Sequence, residues 1–464
     1  MSSCSVETLA LDYSADTVSR LHRLAQQPWF MFLDSCYEAG GGGRYDIAVW
    51  QPELTLTTRD GSTVLETGYG NHSSSGDPFS LIEAQLGGPE RSTELPFSGG
   101  AMGMFSYDLS RRVERLPSLA ANDLPLPEMA VGIYSRCLVV DHQAQQSWYV
   151  YRGLSAAAVR ADLDILAIPR TLTPSTLGTD FVISSSVTAE LSRAEYADAF
   201  TQIQRYIHDG DCYQVNFSQR FSASASGSGW DAYQRLRRLN PAPFAAFMQL
   251  PGGSVLSSSP ERFLCAWDGQ VEARPIKGTR RRLLDPVADQ KQIASLQSSV
   301  KDRAENLMIV DLLRNDIGKV CQPGSVSVPR LFEVETFARV HHLVSTVCGR
   351  LQNGRSALDA LRACFPGGSI TGAPKVRAME IIESLEPTRR SVYCGALGYV
   401  SHDGQMDMNI AIRTVLLAQG RLSCWAGGGI VLDSELEAEY QESFDKAAAM
   451  LSLFNDASEY AVGH

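Results

Sequence analysis

The sequence predicts a mixed α/β fold of the α+β type rather than a doubly wound parallel sheet. Two observations carry this. Strand-like runs near the C-terminal end follow one another in hairpin order, with the turn dipeptide Asp403-Gly404 between two of them. Helices open at separate capping boxes, Ser192 with Glu195 and Ser434 with Glu437. Hairpin order joined to such helices argues layers of antiparallel sheet and helix.

The elements read in order as follows. Residues 1–175 form an N-terminal region with strand-like runs at Tyr45–Trp50, Leu54–Thr58 and Val131–Val140, and a four-glycine turn at Gly40–Gly43. The polar stretch 171–180, with Pro and Gly, reads as a linker. Residues 185–455 form a second region, and the two are expected to interleave in one globular unit. A helix runs from Ser192 to near Gly210, and another from about Ala288 to Ile317, stopped near Gly318. A glycine-rich loop, Pro366 to Lys375, leads into a helix over about Pro374–Glu383. An antiparallel meander follows: Val392–Val400, Met406–Leu417, and Leu422–Trp425 ending in Gly427-Gly428-Gly429. In the second strand Met406, Met408, Ile410 and Ile412 face one way, and Asp407, Asn409, Ala411 and Arg413 the other.

Composition narrows the function. The 464 residues carry 41 Lys and Arg against 52 Asp and Glu, a net charge of −11, which disfavours generic nucleic-acid binding. Hydrophobic content is ample for a large core, so wholesale disorder is excluded. No window is apolar enough to span a membrane, and the first residues do not read as a secretory signal. Ten scattered cysteines with no C-x-x-C pair read as small core residues in a reducing, cytoplasmic setting.

Five groups of residues could carry chemistry. Asp302 with Glu305, and Glu439 with Glu442, are i, i+3 pairs, each on one helix face. Two such faces brought together suit Mg²⁺, a hard cation that prefers oxygen ligands; apart, they are solvated surface. The segment from Arg274 to Arg282 holds five cations in nine residues. It reads as a basic loop or phosphate patch, except that Lys277, between Ile276 and Gly278, becomes a nucleophile if desolvated. The glycine-rich loop resembles a P-loop only superficially, because Ala373 stands where Lys is required, and it suits a small carboxylate better. Glu261, in Ser-Pro-Glu-Arg after an apolar strand, is a candidate general acid or a surface carboxylate. The pair His341-His342 stays ambiguous between core and site.

Several strings together resemble the chorismate-utilising enzyme family: Lys301 to Asp316, GGSITGAPK, AIRTV, AGGGIV and AEYQE. The resemblance implies two packed antiparallel β-sheets surrounded by helices, the anthranilate synthase component I-like fold, with the active site between the sheets. Within the family, PIKGT at 275–279 is similar to the members that place an amine on C4 of chorismate; the anthranilate-forming members typically have Ala at Lys277. Isochorismate-forming members typically carry a lysine base where this chain has Gln214, which cannot serve as one.

The implied reaction replaces the C4 hydroxyl of chorismate by an amino group, giving 4-amino-4-deoxychorismate on the way to folate. In that reading Lys277 attacks C2 and Glu261 protonates the departing oxygen. Glu305 and Glu442 hold Mg²⁺, with Asp302 and Glu439 in support. Gln214, Thr279, His342, Thr371, Tyr393, Arg413, Gly427, Gly428 and Lys446 contact substrate. The chain has no Gly-x-Cys-x-Gly elbow, so ammonia is expected from a glutamine amidotransferase partner. The resemblance also suggests a tryptophan pocket at Ser35, Gly43, Arg44 and Tyr45, with Pro243 and Phe244 across the fold. The alternatives are an anthranilate-forming enzyme and a non-catalytic anion- or nucleic-acid-binding protein.

Overall fold

Two large antiparallel sheets face each other across the main core. The computed structural model describes residues 5–37, 42–87, 93–167, 181–337 and 340–455. The linker expected at 171–180, and Gly40 and Gly41 of the glycine turn, lie outside the described residues.

Among the described residues, the first sheet has 13 strands and the second 12. Strands from the two halves of the chain alternate within each sheet: Met31–Asp34 lies beside Phe244–Leu250 in the first, and Gly100–Phe105 beside Ala396–Ser401 in the second. The alternation of side chains decides which core each residue enters. Met31, Ile47 and Val49 join the core between the sheets, while Phe30, Phe32, Ala48 and Trp50 pack outward under helices. That outer layer includes Trp230 and Tyr233 of the Gly229–Leu239 helix and Met450 of the C-terminal helix. A third cluster joins Tyr196 and Phe200 to Val215, Phe217 and Ile381.

The structure corrects several expected elements. The Val131–Val140 run breaks at Ser135, where the chain leaves the second sheet (Met129–Tyr134) for the first (Arg136–Asp141). The expected Met406–Leu417 strand crosses in the same direction: Met406–Ile410 belongs to the second sheet and Thr414–Ala418 to the first. The crossing passes through Arg413, a non-glycine residue at φ 48°, so there is no simple three-stranded meander. The strand before it begins only at Ala396, because Ser391 and Cys394 turn the chain at φ 52° and 64°. The strand after it, Arg421–Ile430, runs through the three glycines instead of ending at them.

Helices differ too. The helix expected over 288–317 is two, Pro286–Ser298 and Val300–Gly318, because Ser299 adopts extended backbone and its hydroxyl caps Asp302. The Ser192 capping box is complete, and its helix ends at His208. The second expected box is not formed. The last helix starts at Leu436, one residue later than Ser434 as its cap requires, and Ser434 donates instead to Glu439 Oε1 at 2.6 Å. Glu437 pairs with Arg193. The nine described cysteines are free, and all but Cys348 are buried. No described helix is long and apolar enough to cross a membrane.

Candidate active site

A cavity of about 530 Å³ opens between the Ile276–Arg281 strand, the Val300–Gly318 helix, the Arg421–Ile430 strand and the C-terminal helix. It gathers most of the sequence-singled residues: Gln214, Glu261, Lys277, Thr279, Asp302, Glu305, His342, Tyr393, Arg413, Gly427, Glu439, Glu442 and Lys446 all line it. The two helix faces therefore do converge.

Lys277 is placed by its neighbours. Gly278 at φ +82° turns the strand, and a Cβ there would lie 2.8 Å from Asp302 Cγ and 2.9 Å from a Leu296 methyl, so only glycine fits. The Lys277 ammonium donates to the Ser369 carbonyl oxygen at 3.2 Å. Burial pushes its pKa down, opposed by the carboxylates of Glu261, Glu305 and Glu442. The glycine-rich loop thus meets the cavity through Ser369 and Ile370, not through the helix start. Lys375 at that start turns inward to Asp316 (2.5 Å) and the Cys364 carbonyl oxygen (2.8 Å).

Glu261 is buried, not a surface carboxylate. Burial raises its pKa to about 7, against the pull of Lys277. Its neighbour Arg262 points away to Asp407 at 2.8 Å. Consecutive histidines on one strand face opposite ways. His341 is a core residue held by Thr336 and Asp289, each at 2.9 Å. His342 pairs with Thr279 at 2.9 Å, and burial beside Arg413 lowers its pKa to about 4, leaving it neutral. Tyr393 stacks with Trp425 at 6.2 Å to form an aromatic wall. Trp425 carried no sequence signal beyond its strand.

Two expected contacts are not brought to the cavity. Thr371 is fully buried with its hydroxyl donating to the Gly367 carbonyl oxygen at 3.0 Å. Gly428 faces the helix: a Cβ there would lie 2.8 Å from Glu439 Oε2, so this glycine clears room for the carboxylates. Part of the basic run is engaged internally. Arg274 pairs with Glu335, Arg280 with Asp302 at 3.0 Å, and Lys277 faces the cavity, so three of the five cations are engaged within the fold.

A family model described as chorismate binding enzyme matches residues 33–452. The chain belongs to the chorismate-binding enzyme family. Aminodeoxychorismate synthase component 1 of Klebsiella aerogenes is 51% identical over 433 residues, covering 92% of this chain and 94% of that protein. The protein of the same name from Escherichia coli (strain K12) is 49% identical over 434 residues, 92% of this chain and 94% of its own. The crystal structure of anthranilate synthase component I from Streptococcus pneumoniae TIGR4 superposes with a TM-score of 0.80 at 32% identity, covering 88% of this chain and 92% of that one. These relatives bear out the two-sheet fold and membership of the chorismate-utilising enzymes.

The donor set of this chorismate-binding protein fits a divalent cation. Five carboxylates line the cavity against four cationic side chains. Burial raises the pKa of Glu305 and Glu439, and the neighbouring Glu442 adds to the rise in both. Glu439 Oε2 is buried without a partner. Among the described residues, no three His, Cys, Asp or Glu side chains stand in ligand geometry. Mg²⁺ commonly takes only one or two protein carboxylates and completes its shell with water and substrate.

A second cavity, of about 360 Å³, includes Gly43, Arg44, Tyr45, Pro243 and Phe244 in its lining. Ser35 does not line it; its hydroxyl turns to Asp46 Oδ1 at 2.7 Å. Ser35 instead lies behind Gly43, where a Cβ would meet the Ser35 Cβ at 2.6 Å.

Proposed function

We propose that this chain is the chorismate-aminating component of a two-component synthase, replacing the C4 hydroxyl of chorismate by an amino group to give 4-amino-4-deoxychorismate, a precursor of para-aminobenzoate and folate. The observation that carries this reading is Lys277 in the same cavity as Glu261: an amine with a lowered pKa beside a carboxyl poised near neutrality. The relatives whose name states this activity support it.

The residues divide the work as follows. Lys277, once it has given up its ammonium proton to the Glu261 carboxylate, attacks C2 as the ring double bonds shift and the C4–O bond breaks. Glu261 delivers its proton to the departing oxygen, so water leaves and not hydroxide. Ammonia then forms the bond at C4, the double bonds shift back and Lys277 is released. The Glu261 carboxylate stands ready to take the proton that ammonia loses. Arg413 and Lys446 bind the substrate carboxylates, and Lys446 is steadied by Glu442 at 2.6 Å and the Gly427 carbonyl oxygen at 3.0 Å. Glu305 and Glu442 would hold Mg²⁺, with Asp302 and Glu439 supporting; bound there, the ion offsets charge between the carboxylates and a dianionic substrate. Gln214 offers a buried, unpartnered amide oxygen to the ligand and no base.

Ammonia is supplied by a glutamine amidotransferase partner in this reading, since the chain lacks the elbow cysteine. The second cavity is assigned to tryptophan, a zwitterion whose ring meets the Phe244 and Tyr45 side. The test is direct: incubate the protein with chorismate, Mg²⁺ and ammonium and identify the product by mass. 4-Amino-4-deoxychorismate is expected; anthranilate with pyruvate as the main product would overturn the assignment.

A further inference from the structure

Asn216 is the residue of the cavity wall whose polar chemistry is least accounted for. It lies two residues after Gln214 on the Gln214–Ser226 strand, so the two side chains share a face. Asn216 lines the cavity, is 7% exposed, and its amide nitrogen is buried without a hydrogen-bond partner. Buried donors in native proteins are almost always paired, so an orphan on a cavity wall points to the molecule that fills the cavity.

Its backbone is fixed from several sides. The Asn216 N–H donates to the Thr371 carbonyl oxygen at 2.8 Å, and its own carbonyl oxygen accepts from Arg390 Nη2 at 2.5 Å. Across the ladder it faces Gly429. Arg390, buried beneath the cavity floor, also donates to the Ile370 carbonyl oxygen at 2.9 Å and pairs with Glu386 at 2.7 Å. Glu386 in turn accepts from Ser218 N–H and Oγ, at 2.9 and 2.8 Å. The strand cannot shift to satisfy the amide without breaking this network. The side chain is free while its mounting is rigid, the arrangement of a preorganised contact.

We infer that Asn216 is a further substrate-binding residue, its amide nitrogen donating to a carboxylate or hydroxyl oxygen of the dicarboxylate that occupies the cavity. This rests on the chorismate reading above. Arg390 acts through Asn216 and the Ile370 loop and is a positioning residue.

The test compares Asn216→Leu and Asn216→Asp with the wild type in two readouts: melting temperature without substrate, and KM for chorismate at saturating ammonium. Leu keeps much of the volume and removes the orphan donor. Its melting temperature should be no lower than wild type, while KM rises about tenfold or more. Asp adds a negative charge toward a dianion and should raise KM further. A lowered melting temperature with wild-type KM would make Asn216 a structural residue and overturn the inference. Wild-type KM in both variants would overturn it as well, leaving water as the amide's partner. The readout is chorismate affinity, not product. A wild-type product other than 4-amino-4-deoxychorismate would therefore sink the functional reading while the Asn216 comparison is judged on its own.

Discussion

Replacing Glu261 by Gln should cost activity and gain stability, each in a defined pH range. Burial lifts the Glu261 carboxyl from 4.5 to about 7. At 1.36 kcal/mol per pKa unit, ionising it in the folded protein costs about 3 kcal/mol relative to the unfolded chain, an upper bound because the cavity admits water. The sign follows from the raised pKa: the folded state holds the proton more tightly, so wild-type stability falls as pH rises from 4.5 through 7. Most of the difference opens between about pH 5 and 8. With unfolding entropy of about 2.1 cal/mol/K per residue, a chain of this length shifts its melting temperature by about 1 °C per kcal/mol. Glu261→Gln should therefore melt up to about 3 °C above wild type at pH 8, and close to it at pH 5. Turnover should drop by about 10²–10⁴, the usual worth of a positioned general acid. The wild-type rate should fall tenfold per pH unit above about 7, and the variant should lose that limb. The measurements are thermal melts at both pH values and a pH–rate profile with ammonia held saturating. A variant that keeps the wild-type profile, or gains no stability at pH 8 over pH 5, would refute the buried-acid argument.

Other consequences are as specific. Excess chelator should suppress turnover, and Glu305→Gln or Glu442→Gln should raise the Mg²⁺ concentration needed for half-maximal thermal stabilisation by the ion; unchanged metal response in both would contradict the donor assignment. Tryptophan should bind the second cavity with a calorimetric signal, and Gly43→Ala should weaken it, since a Cβ there comes within 2.6 Å of Ser35 Cβ; equal binding by wild type and variant would place the ligand elsewhere.

Local chemistry was legible in the sequence where it depends on neighbours along the chain. Lys277 stood out because Ile276 and Gly278 flank it, and the i, i+3 carboxylates because helix geometry alone puts them on one face. That the two faces meet depends on tertiary packing and could not be read from spacing. The sheet crossings at Ser135 and Arg413 were hidden for a related reason: strand-forming residues continue on both sides of each crossing, and a short polar break, Ser135-Arg136 in one and Arg413-Thr414 in the other, does not by itself tell a change of sheet from a polar position on a strand. Ser299 breaks a helix between two stretches that each favour helix, leaving only a cap residue as a clue. Glu386 and Arg390 have the spacing of an ordinary surface pair, and nothing local reveals that both are buried under the cavity.

The proposed mechanism turns on one covalent bond. Intact-protein and peptide mass spectrometry after incubation with chorismate and Mg²⁺, without ammonia, measures it most directly. The expected result is chorismate less one water attached to the peptide carrying Lys277, absent in Lys277→Ala and discharged on adding ammonium. An adduct of full yield in Lys277→Ala, or wild-type turnover by that variant, would contradict the role of this lysine as nucleophile.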